Sequence, residues 1–324
     1  MTSVASVRRL GATDIEITPI GLGSMQFSNG GFISGQVYPA MDQAVADDVV
    51  GAALDAGIGW FDTAEMYGKG HSERLLGHGL GRHGVAPEEA VIATKWTPLL
   101  RTAGNIATTI GDRLAALDPY PISLHQIHAP QGSLSSLPAQ LGVMADLLAG
   151  GRIRAVGVSN FSAARMEKAH AVLAARGVTL ASNQVQISLL RRNIERDGTL
   201  ELAKRLGITL IASSPLRMGT LTGKFHEQPA AVKSLPWMRR TLAGLSPRGL
   251  ARTEPLIREL VSIGSAYGVA ASVVALSWLI TYYGDPVVAI PGASKPSQAK
   301  DSAAAMSLRL TEKELERLDG LSRS

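Results

Sequence analysis

Short apolar runs alternate with longer amphipathic segments along most of the chain. Each short run has the length and the flanking turn residues of a buried strand. Eight runs are therefore predicted as strands: 19–24, 60–63, 90–96, 123–129, 153–159, 180–187, 209–214 and 287–291. The segments between them carry apolar residues at helical spacing. These segments are predicted as helices: 42–56, 72–81, 104–117, 137–149, 162–175, 200–206, 254–267 and 271–282.

A strand followed by a helix, repeated eight times, predicts a closed parallel (β/α)8 barrel, the TIM-barrel fold. An open doubly wound sheet is the alternative, but the count of eight and the lack of a break between halves favour the barrel. Residues 8–10 and 15–18 predict an N-terminal β-hairpin cap. Thr311 and Glu314 have capping-box spacing, so a C-terminal helix is predicted from Glu312. We expect one domain, 1–324, with 215–253 as a long irregular loop.

Composition narrows the class of protein. Of 324 residues, 45% are hydrophobic and 18% charged, which suffices for a sizeable core. The absence of cysteine excludes disulfides, thiolate nucleophiles, Fe–S clusters and cysteine-ligated zinc, and we expect no metal. The N-terminus lacks the apolar core of a secretory signal, and the most apolar stretch, 270–283, is shorter than a bilayer span. We therefore expect a cytoplasmic protein without a membrane partner.

The net charge of +5 is concentrated in residues 216–258, which hold eight basic and two acidic residues. A nucleic-acid-binding face would spread such charge and interleave it with aromatics, so we expect no nucleic-acid partner. A local excess suits a small phosphorylated ligand, and a solvated basic loop is the other interpretation. This segment overlaps the long basic loop 215–253 over nearly its whole length.

One glycine motif does not carry its usual function. Gly79, Gly81 and Gly84 have G-x-G-x-x-G spacing, but a predicted helix precedes them and a predicted strand follows. The dinucleotide fingerprint needs the reverse order, so this segment is predicted to be a helix end and turn. The phosphate-loop, nucleophile-elbow and H-E-x-x-H motifs do not occur, so NTPase, α/β-hydrolase and zincin functions have no support.

Polar side chains lie at the carboxyl ends of three consecutive predicted strands, where barrels carry their chemistry. Asp62 is near the end of the second strand, Lys95 near the end of the third, and His128 near the end of the fourth. Tyr67 lies five residues past Asp62, in the following loop. Strand alternation points Lys95 and His128 into the same mouth.

These four residues form a coherent proton-transfer set. A nearby ammonium favours the phenolate, so we expect Lys95 to lower the pKa of Tyr67, and Asp62 to keep Lys95 charged. A neutral His128 can orient a carbonyl oxygen, to which Tyr67 donates a proton. Alone, a strand-end lysine is usually a surface charge and a strand histidine a core residue. Their coincidence at one mouth favours catalysis.

Ordered motifs over nearly the whole chain resemble the aldo-keto reductase family. The most specific is Phe61-Asp-Thr-Ala-Glu-Met-Tyr-Gly at 61–68. Further similarity lies at 9–24, 92–95, 126–128, 154–161, 183–186, 214–224 and 290–295. The resemblance implies a (β/α)8 barrel that reversibly reduces the carbonyl of a small aldehyde or ketone with NADPH. It implies Tyr67 as the general acid and base, supported by Lys95, Asp62 and His128.

The resemblance also implies where the cofactor lies. Ser159, Asn160 and Gln184 would hold the nicotinamide carboxamide, although strand-end capping is the alternative for this trio. Residues 214–219 and Lys224 would meet the pyrophosphate, and residues near a predicted helix start at Pro296 the adenosine end. The full implied set is Ser24, Met25, Asp62, Ser159, Asn160, Gln184, Ser213, Ser214, Pro215, Leu216, Gly219, Lys224, Gly292, Ser294, Lys295, Gln298, Asp301 and Ser302.

Several positions depart from the family pattern. Ser213 stands where an aromatic ring usually stacks on nicotinamide, which removes a packing partner of the cofactor. Gln298 stands where many members have Arg, and Ser302 where they have Asn, which weakens the preference for a 2′-phosphate. Lys295 beside a helix start still favours NADP over NAD. Ile187 replaces a common Tyr.

Two alternatives remain at this stage. One is an NADP(H)-binding sensor with little turnover, as in the potassium-channel β subunits, although that branch carries Asn where His128 stands here. The other is a barrel isomerase or lyase without a nicotinamide cofactor. The substrate stays open among sugars, pyridoxal-like and lipid-derived aldehydes, and we expect a monomer. Ordinary packing is the alternative for each candidate wall residue: Met25, Phe27, Tyr38, Trp96 and Trp237.

Overall fold

Eight parallel strands form the centre of the molecule. The computed structural model describes residues 7–28 and 38–323, so the ends and a short internal part of the expected domain 1–324 lie outside the described residues. An antiparallel hairpin, β1 (Arg8–Arg9) and β2 (Glu16–Ile17), precedes the main sheet. The main strands are β3 (Leu22–Gly23), β4 (Trp60–Asp62), β5 (Val91–Trp96), β6 (Leu124–Ile127), β7 (Val156–Ser159), β8 (Leu180–Gln186), β9 (Thr209–Ser213) and β10 (Val287–Ala289).

The sheet closes on itself. Its strands pair in sequence order from β3 to β10, and parallel bridges join Ile20 to Ala289 and Gly23 to Gly292. Gly21 N donates to Ala289 O at 2.8 Å across the same seam. The predicted (β/α)8 barrel is confirmed, and the open sheet is excluded.

Twelve α-helices are seen in the described residues, most of them packed around the barrel. They are α1 (Gln43–Asp55), α2 (His71–Arg82), α3 (Gly104–Leu117), α4 (Leu137–Ala149), α5 (Ala163–Ala174), α6 (Thr199–Leu206), α7 (Lys224–Glu227), α8 (Trp237–Ala243), α9 (Pro247–Tyr267), α10 (Ala271–Tyr282), α11 (Pro296–Ala304) and α12 (Glu312–Ser322). The predicted capping box of Thr311 and Glu314 begins α12. Gly79 and Gly81 lie in the last turn of α2, as predicted.

The predicted hairpin closes one end of the barrel. Its apolar side chains, Leu10, Ile15 and Ile17, pack in one cluster with interior residues of the strands such as Trp60 and Leu124. A second, larger apolar layer lies between the strands and the helices. Because the hairpin fills the amino end of the barrel, the carboxyl end is left for ligands.

The prediction for 215–253 was wrong in part. This segment contains α7, α8, two 3₁₀ turns and the first turns of α9, rather than irregular chain. The predicted start of this helix at Glu254 lies seven residues after the observed start of α9 at Pro247. In the structure Ser246 caps the helix, its hydroxyl accepting from Gly249 N, and the helix continues through Pro255.

Within the described ranges, no single helix is both long and apolar enough to cross a membrane. The pair α9 and α10 passes that test of length and composition only when taken together, with a bend of 98° between them.

Candidate active site

A buried ion pair lies at the mouth of the barrel. Asp62 ends β4 and Lys95 lies near the end of β5, on strands paired in parallel register. Lys95 Nζ donates to Asp62 Oδ1 at 2.5 Å and to Thr63 O at 2.7 Å. Burial lowers the pKa of Lys95, but the charges of Asp62 and Tyr67 and the hydrogen bonds to both together outweigh burial, and the pKa is raised. The ammonium therefore stays charged inside the barrel.

The second carboxylate oxygen of Asp62 is also occupied. Gln184 Nε2 on β8 donates to Oδ2 at 2.8 Å, and Gln126 Nε2 on β6 donates at 3.3 Å. Strands from both sides of the barrel thus converge on one carboxylate. Three donors satisfy the charge of Asp62 and fix its orientation.

Tyr67 lies beside this pair and faces an open cavity. The Lys95 ammonium lies 5.1 Å from the centre of the Tyr67 ring. Burial raises the pKa of Tyr67, Lys95 lowers it, and Asp62 raises it again, so that the net direction is upward. The expected lowering by Lys95 is present, but burial outweighs it. The phenol therefore holds its proton at neutral pH, as a proton donor must.

His128 follows β6 and lies against the same tyrosine. The two rings meet edge to face, with centroids 5.9 Å apart and planes at 81°. Burial, with a smaller contribution from the positive charge of Lys95, lowers the pKa of His128 to about 3. The imidazole is neutral over the working range of pH, as predicted for a group that orients a carbonyl.

A second polar network holds the loop that carries Tyr67. Glu65 is buried and accepts from Thr97 N at 2.6 Å, from Arg101 Nη1 at 2.5 Å and from Arg113 Nη1 at 2.8 Å. It thereby ties the loop after β4 to the loop after β5. Sequence reasoning missed this role, although Glu65 lies inside the most specific motif, because a partner in α3 cannot be seen from local spacing.

A cavity of about 490 Å³ opens beside Tyr67 and reaches the start of α11. This volume is typical of a small-molecule site. Most of the predicted cofactor residues line it. Those that do are Ser24, Met25, Asp62, Gln184, Ser213, Ser214, Pro215, Leu216, Gly219, Gly292, Ser294, Gln298, Asp301 and Ser302.

Four predicted cofactor residues lie outside the cavity lining. Ser159 Oγ donates to Gln184 O at 3.0 Å, and Asn160 Nδ2 donates to Ser159 Oγ at 3.0 Å and to His128 O at 3.3 Å. All three hydrogen bonds lie at strand ends, as the capping alternative expects. Lys224, at the start of α7, and Lys295, before α11, are exposed at the surface. Their predicted contacts with a cofactor remain predictions.

The structure adds a cation that the sequence did not single out. Arg239 of α8 lines the cavity, stacks on Tyr38 at 5.0 Å and donates to Met218 O at 3.3 Å. Its Nε is buried and has no hydrogen-bond partner among the described residues. In the sequence Arg239 is only one of eight basic residues in 216–258, because the segment of α8, which orients it, is predicted to be a loop.

Several residues between β9 and α7 have left-handed backbone conformations. Ser214, Arg217 and Met218 have positive φ angles of 51°, 50° and 53°, which are uncommon for residues other than glycine. Gly219 follows at φ 98°. Strained turns of this kind cluster at ligand sites, where successive backbone N–H groups can face an anion.

The far end of the cavity is the N-terminus of α11. Gln298 Oε1 accepts from Ser294 N at 2.8 Å and from Ser294 Oγ at 3.2 Å, and so holds the residue that precedes the helix start. A Cβ at Gly292 would lie 2.1 Å from Gln26 Oε1, so a larger residue there would displace the Gln26 side chain. That oxygen is itself buried and unpaired among the described residues. Helix dipole, hydroxyls and glycine together favour a bound phosphate.

Only some of the candidate wall residues line the cavity. Met25 and Tyr38 line the cavity, whereas Phe27 and Trp96 are buried. Trp96 donates through Nε1 to Asn105 Oδ1, so ordinary packing describes it. Trp237 is 64% exposed.

The fold and the site together place this protein among the (β/α)8-barrel oxidoreductases. The chain belongs to the aldo-keto reductase family, whose model matches residues 19–323. Enzymes of this family use nicotinamide cofactors and act on small carbonyl compounds.

Three relatives show how far the similarity extends. An uncharacterized oxidoreductase of Mycobacterium tuberculosis is 37% identical over 91% of this chain and 86% of its own. A chloroplastic pyridoxal reductase of Arabidopsis thaliana is 33% identical over 93% of this chain and 82% of its own. The crystal structure of a thermostable aldo-keto reductase with the inhibitor epalrestat is 29% identical and covers 98% of this chain and 99% of its own, with a TM-score of 0.76.

Proposed function

We propose that this protein is an NADPH-dependent carbonyl reductase of one (β/α)8 domain. The observation that carries the proposal is the position of Tyr67, a protonated phenol between a buried Lys95–Asp62 pair and the neutral His128, at the open end of a cavity suited to a dinucleotide. A reductase with a pyridoxal substrate among the relatives is consistent with a small carbonyl substrate.

Each of the four residues has its own role in the proposed reaction. A bound nicotinamide cofactor supplies the reducing equivalent. Tyr67 holds the proton that passes from its hydroxyl to the carbonyl oxygen of the substrate. Lys95 stabilises the phenolate left behind, and Asp62 keeps that ammonium charged and in place. His128 Nε2, in an imidazole that stays neutral, is suited to orient the same carbonyl oxygen.

The cavity fits the two anionic ends of NADPH. Arg239 and the positive-φ turn at 214–219 suit the pyrophosphate, and Arg239 Nε is a donor still without a partner in the described residues. The N-terminus of α11, with Ser294 on the cavity and Lys295 beside it, suits the 2′-phosphate. Asp301 also lines this end of the cavity, and its carboxylate would repel a 2′-phosphate. We therefore expect only a moderate preference for NADPH over NADH.

The test separates binding from turnover. NADPH and NADH are titrated against the protein by calorimetry, and the loss of NADPH absorbance is then followed with a panel of aldehydes and ketones. We expect tighter binding of NADPH and turnover with at least one carbonyl compound. Binding of neither nucleotide would contradict the assignment of the cavity, and binding without any turnover would favour the sensor.

A further inference from the structure

One arginine contacts both ends of the segment that carries Tyr67. We call residues 63–70, which join β4 to α2, the Tyr67 loop. Arg113 of α3 donates through Nη1 to Glu65 Oε2 at 2.8 Å, near the start of this loop. Its Nε forms an ion pair at 2.7 Å with Oε2 of Glu73, in the first turn of α2. Arg113 therefore joins the start of the Tyr67 loop to the helix that follows it.

Arg113 also lies against the end of the Tyr67 loop itself. A Cβ at Gly70 would lie 3.1 Å from Arg113 Nη2, so the guanidinium packs directly on this residue. Gly70 has a φ angle of +80°, and its N donates to Glu65 O at 2.9 Å. That backbone hydrogen bond closes a turn in which Tyr67 lies. The guanidinium is thus in contact with the turn that presents the phenol.

The charged groups of this cluster are shielded from water. The exposed fractions of Glu65, Glu73 and Arg113 are 6%, 0% and 8%. Thr94 Oγ1 on β5 donates to Glu73 Oε1 at 2.6 Å, which ties α2 to the sheet. Burial raises the pKa of Glu73 to about 7, although Arg113 and Thr94 lower it. Glu73 is therefore ionised in mildly alkaline solution, and a buried charge resists any movement that would leave it unpaired.

Neither Arg113 nor Glu73 lines the cavity beside Tyr67. Thr94 and Lys95 are neighbours on β5 and therefore face opposite sides of the sheet. Because Lys95 faces the interior of the barrel, Thr94 and its partner Glu73 lie on the helix side. An effect of Arg113 on the reaction would therefore pass through the Tyr67 loop and not through contact with a ligand.

We propose that Arg113, paired with Glu73, is a positioning residue that fixes the Tyr67 hydroxyl for proton transfer by holding both ends of the Tyr67 loop. The proposal rests on the proposed reductase function and adds two residues that touch neither substrate nor cofactor. A proton donor must lie within hydrogen-bond reach of the carbonyl oxygen, and a small displacement of a reacting group slows the reaction strongly. Glu65 holds one end of the loop, and Arg113 couples that end to α2.

The first variant removes the charge of Glu73 and keeps the size of its side chain. Glu73→Gln is compared with the native protein at pH 8, above the pKa of Glu73, so that the native ion pair is formed. We expect kcat for the best aldehyde to fall by roughly tenfold, with KM and the Kd of NADPH within about twofold of the native values. Glu167→Gln, at an exposed ion pair with Arg205, is the matched control and should keep the native kcat.

The second variant keeps the charge of Arg113 and removes its fork of donors. The single ammonium of Arg113→Lys cannot reproduce the contacts with both carboxylates, so we expect a similar fall in kcat. In the double variant with Glu73→Gln the two falls should not multiply, because each removes the same contact. Arg176→Lys, at a surface ion pair with Asp146, is the matched control.

Hydrogen exchange keeps the test independent of turnover. Gly70 N is bonded to Glu65 O, and Ser72 N is bonded to Tyr67 O at 3.1 Å, so both amides report on the Tyr67 loop. We expect the peptide 64–72 to exchange roughly tenfold faster in both variants, whereas α5, on the other side of α4, stays at its native rate.

The outcomes separate the proposal from the reductase function. If no carbonyl compound is turned over but the local change in exchange is found, the reductase function fails and the hold of Arg113 on the Tyr67 loop stands. Native kcat in folded Glu73→Gln, falls in kcat that multiply in the double variant, or a loss of NADPH affinity as large as the loss of kcat overturns the proposal. Faster exchange throughout the chain also overturns it, because the cluster would then serve the stability of the whole fold.

Discussion

Lys95 Nζ lies 2.5 Å from Asp62 Oδ1, and both side chains are buried. The same ammonium lies 5.1 Å from the centre of the Tyr67 ring. A charge shielded from water is therefore fixed beside the phenol. We propose two roles for the pair, one in the stability of the fold and one in setting the pKa of Tyr67, and the two roles can be measured separately.

The structural role predicts a large loss of stability for Lys95→Met. Removing one partner leaves Asp62 charged and buried with only amide donors, which typically costs about 3–5 kcal/mol. Chemical denaturation measures this loss. Lys204→Met is the control, because Lys204 pairs with Glu201 at the surface and its loss should cost less than about 1 kcal/mol. Equal losses in the two variants would contradict a structural role for the buried pair.

The electrostatic role predicts a shift in pH dependence. In alcohol oxidation the proposed role of Tyr67 is to accept a proton, so the rate is expected to rise with pH as the phenolate forms. The pKa of Tyr67 lies above its usual value, and that rise is expected in alkaline solution. Because Lys95 lowers this pKa, Lys95→Met should move the rise to still higher pH. Initial rates against pH test the sign, and a shift to lower pH would contradict it.

Substitution of Glu65 is expected to lower the rate of turnover without weakening cofactor binding. Glu65→Gln weakens the contacts with Arg101 and Arg113 that fix the Tyr67 loop. We expect kcat to fall by about tenfold to a hundredfold, as for small displacements of reacting groups, with unchanged NADPH affinity. The alkaline rise in alcohol oxidation should also move upward, because Tyr67 is less firmly held beside Lys95.

Glu89→Gln, at an exposed residue after α2, is the matched control for Glu65→Gln and should change neither quantity. A folded Glu65→Gln variant with native kcat and a native pH profile would limit Glu65 to a structural role.

Substitution of Lys295 is expected to change the affinity for NADPH more than the affinity for NADH. If its ammonium meets a 2′-phosphate before α11, Lys295→Glu should weaken NADPH by roughly tenfold and NADH far less. Lys300→Glu, an exposed lysine of the same helix, makes the same charge change elsewhere. Calorimetric titration of both nucleotides measures the difference. Equal weakening of NADPH and NADH by Lys295→Glu would separate Lys295 from the 2′-phosphate.

The barrel could be predicted from the sequence because its strands are short apolar runs with turn residues between them. The mouth residues followed from the same pattern, since Asp62 and Lys95 lie at strand ends and strand alternation fixes their face. Long-range partners could not be predicted in this way. The contact of Gln184 with Asp62 joins residues 122 positions apart, and only the closed barrel brings them together.

The net pKa direction of Tyr67 was also beyond the sequence. The charge of Lys95 is visible there, but the opposing effect of burial depends on how the loop packs. The position of Arg239 on the cavity could not be predicted for a related reason, because the sequence predicts irregular chain where α8 lies.

Tyr67 is the proposed proton donor in carbonyl reduction, and the variant Tyr67→Phe lacks that donor. The substitution removes only the hydroxyl and keeps the ring against His128. NADPH affinity is measured first, and NADPH oxidation is then followed with the best aldehyde of the panel. We expect native affinity and a fall in kcat of at least about a hundredfold. A variant that binds NADPH and turns over at the native rate would contradict it.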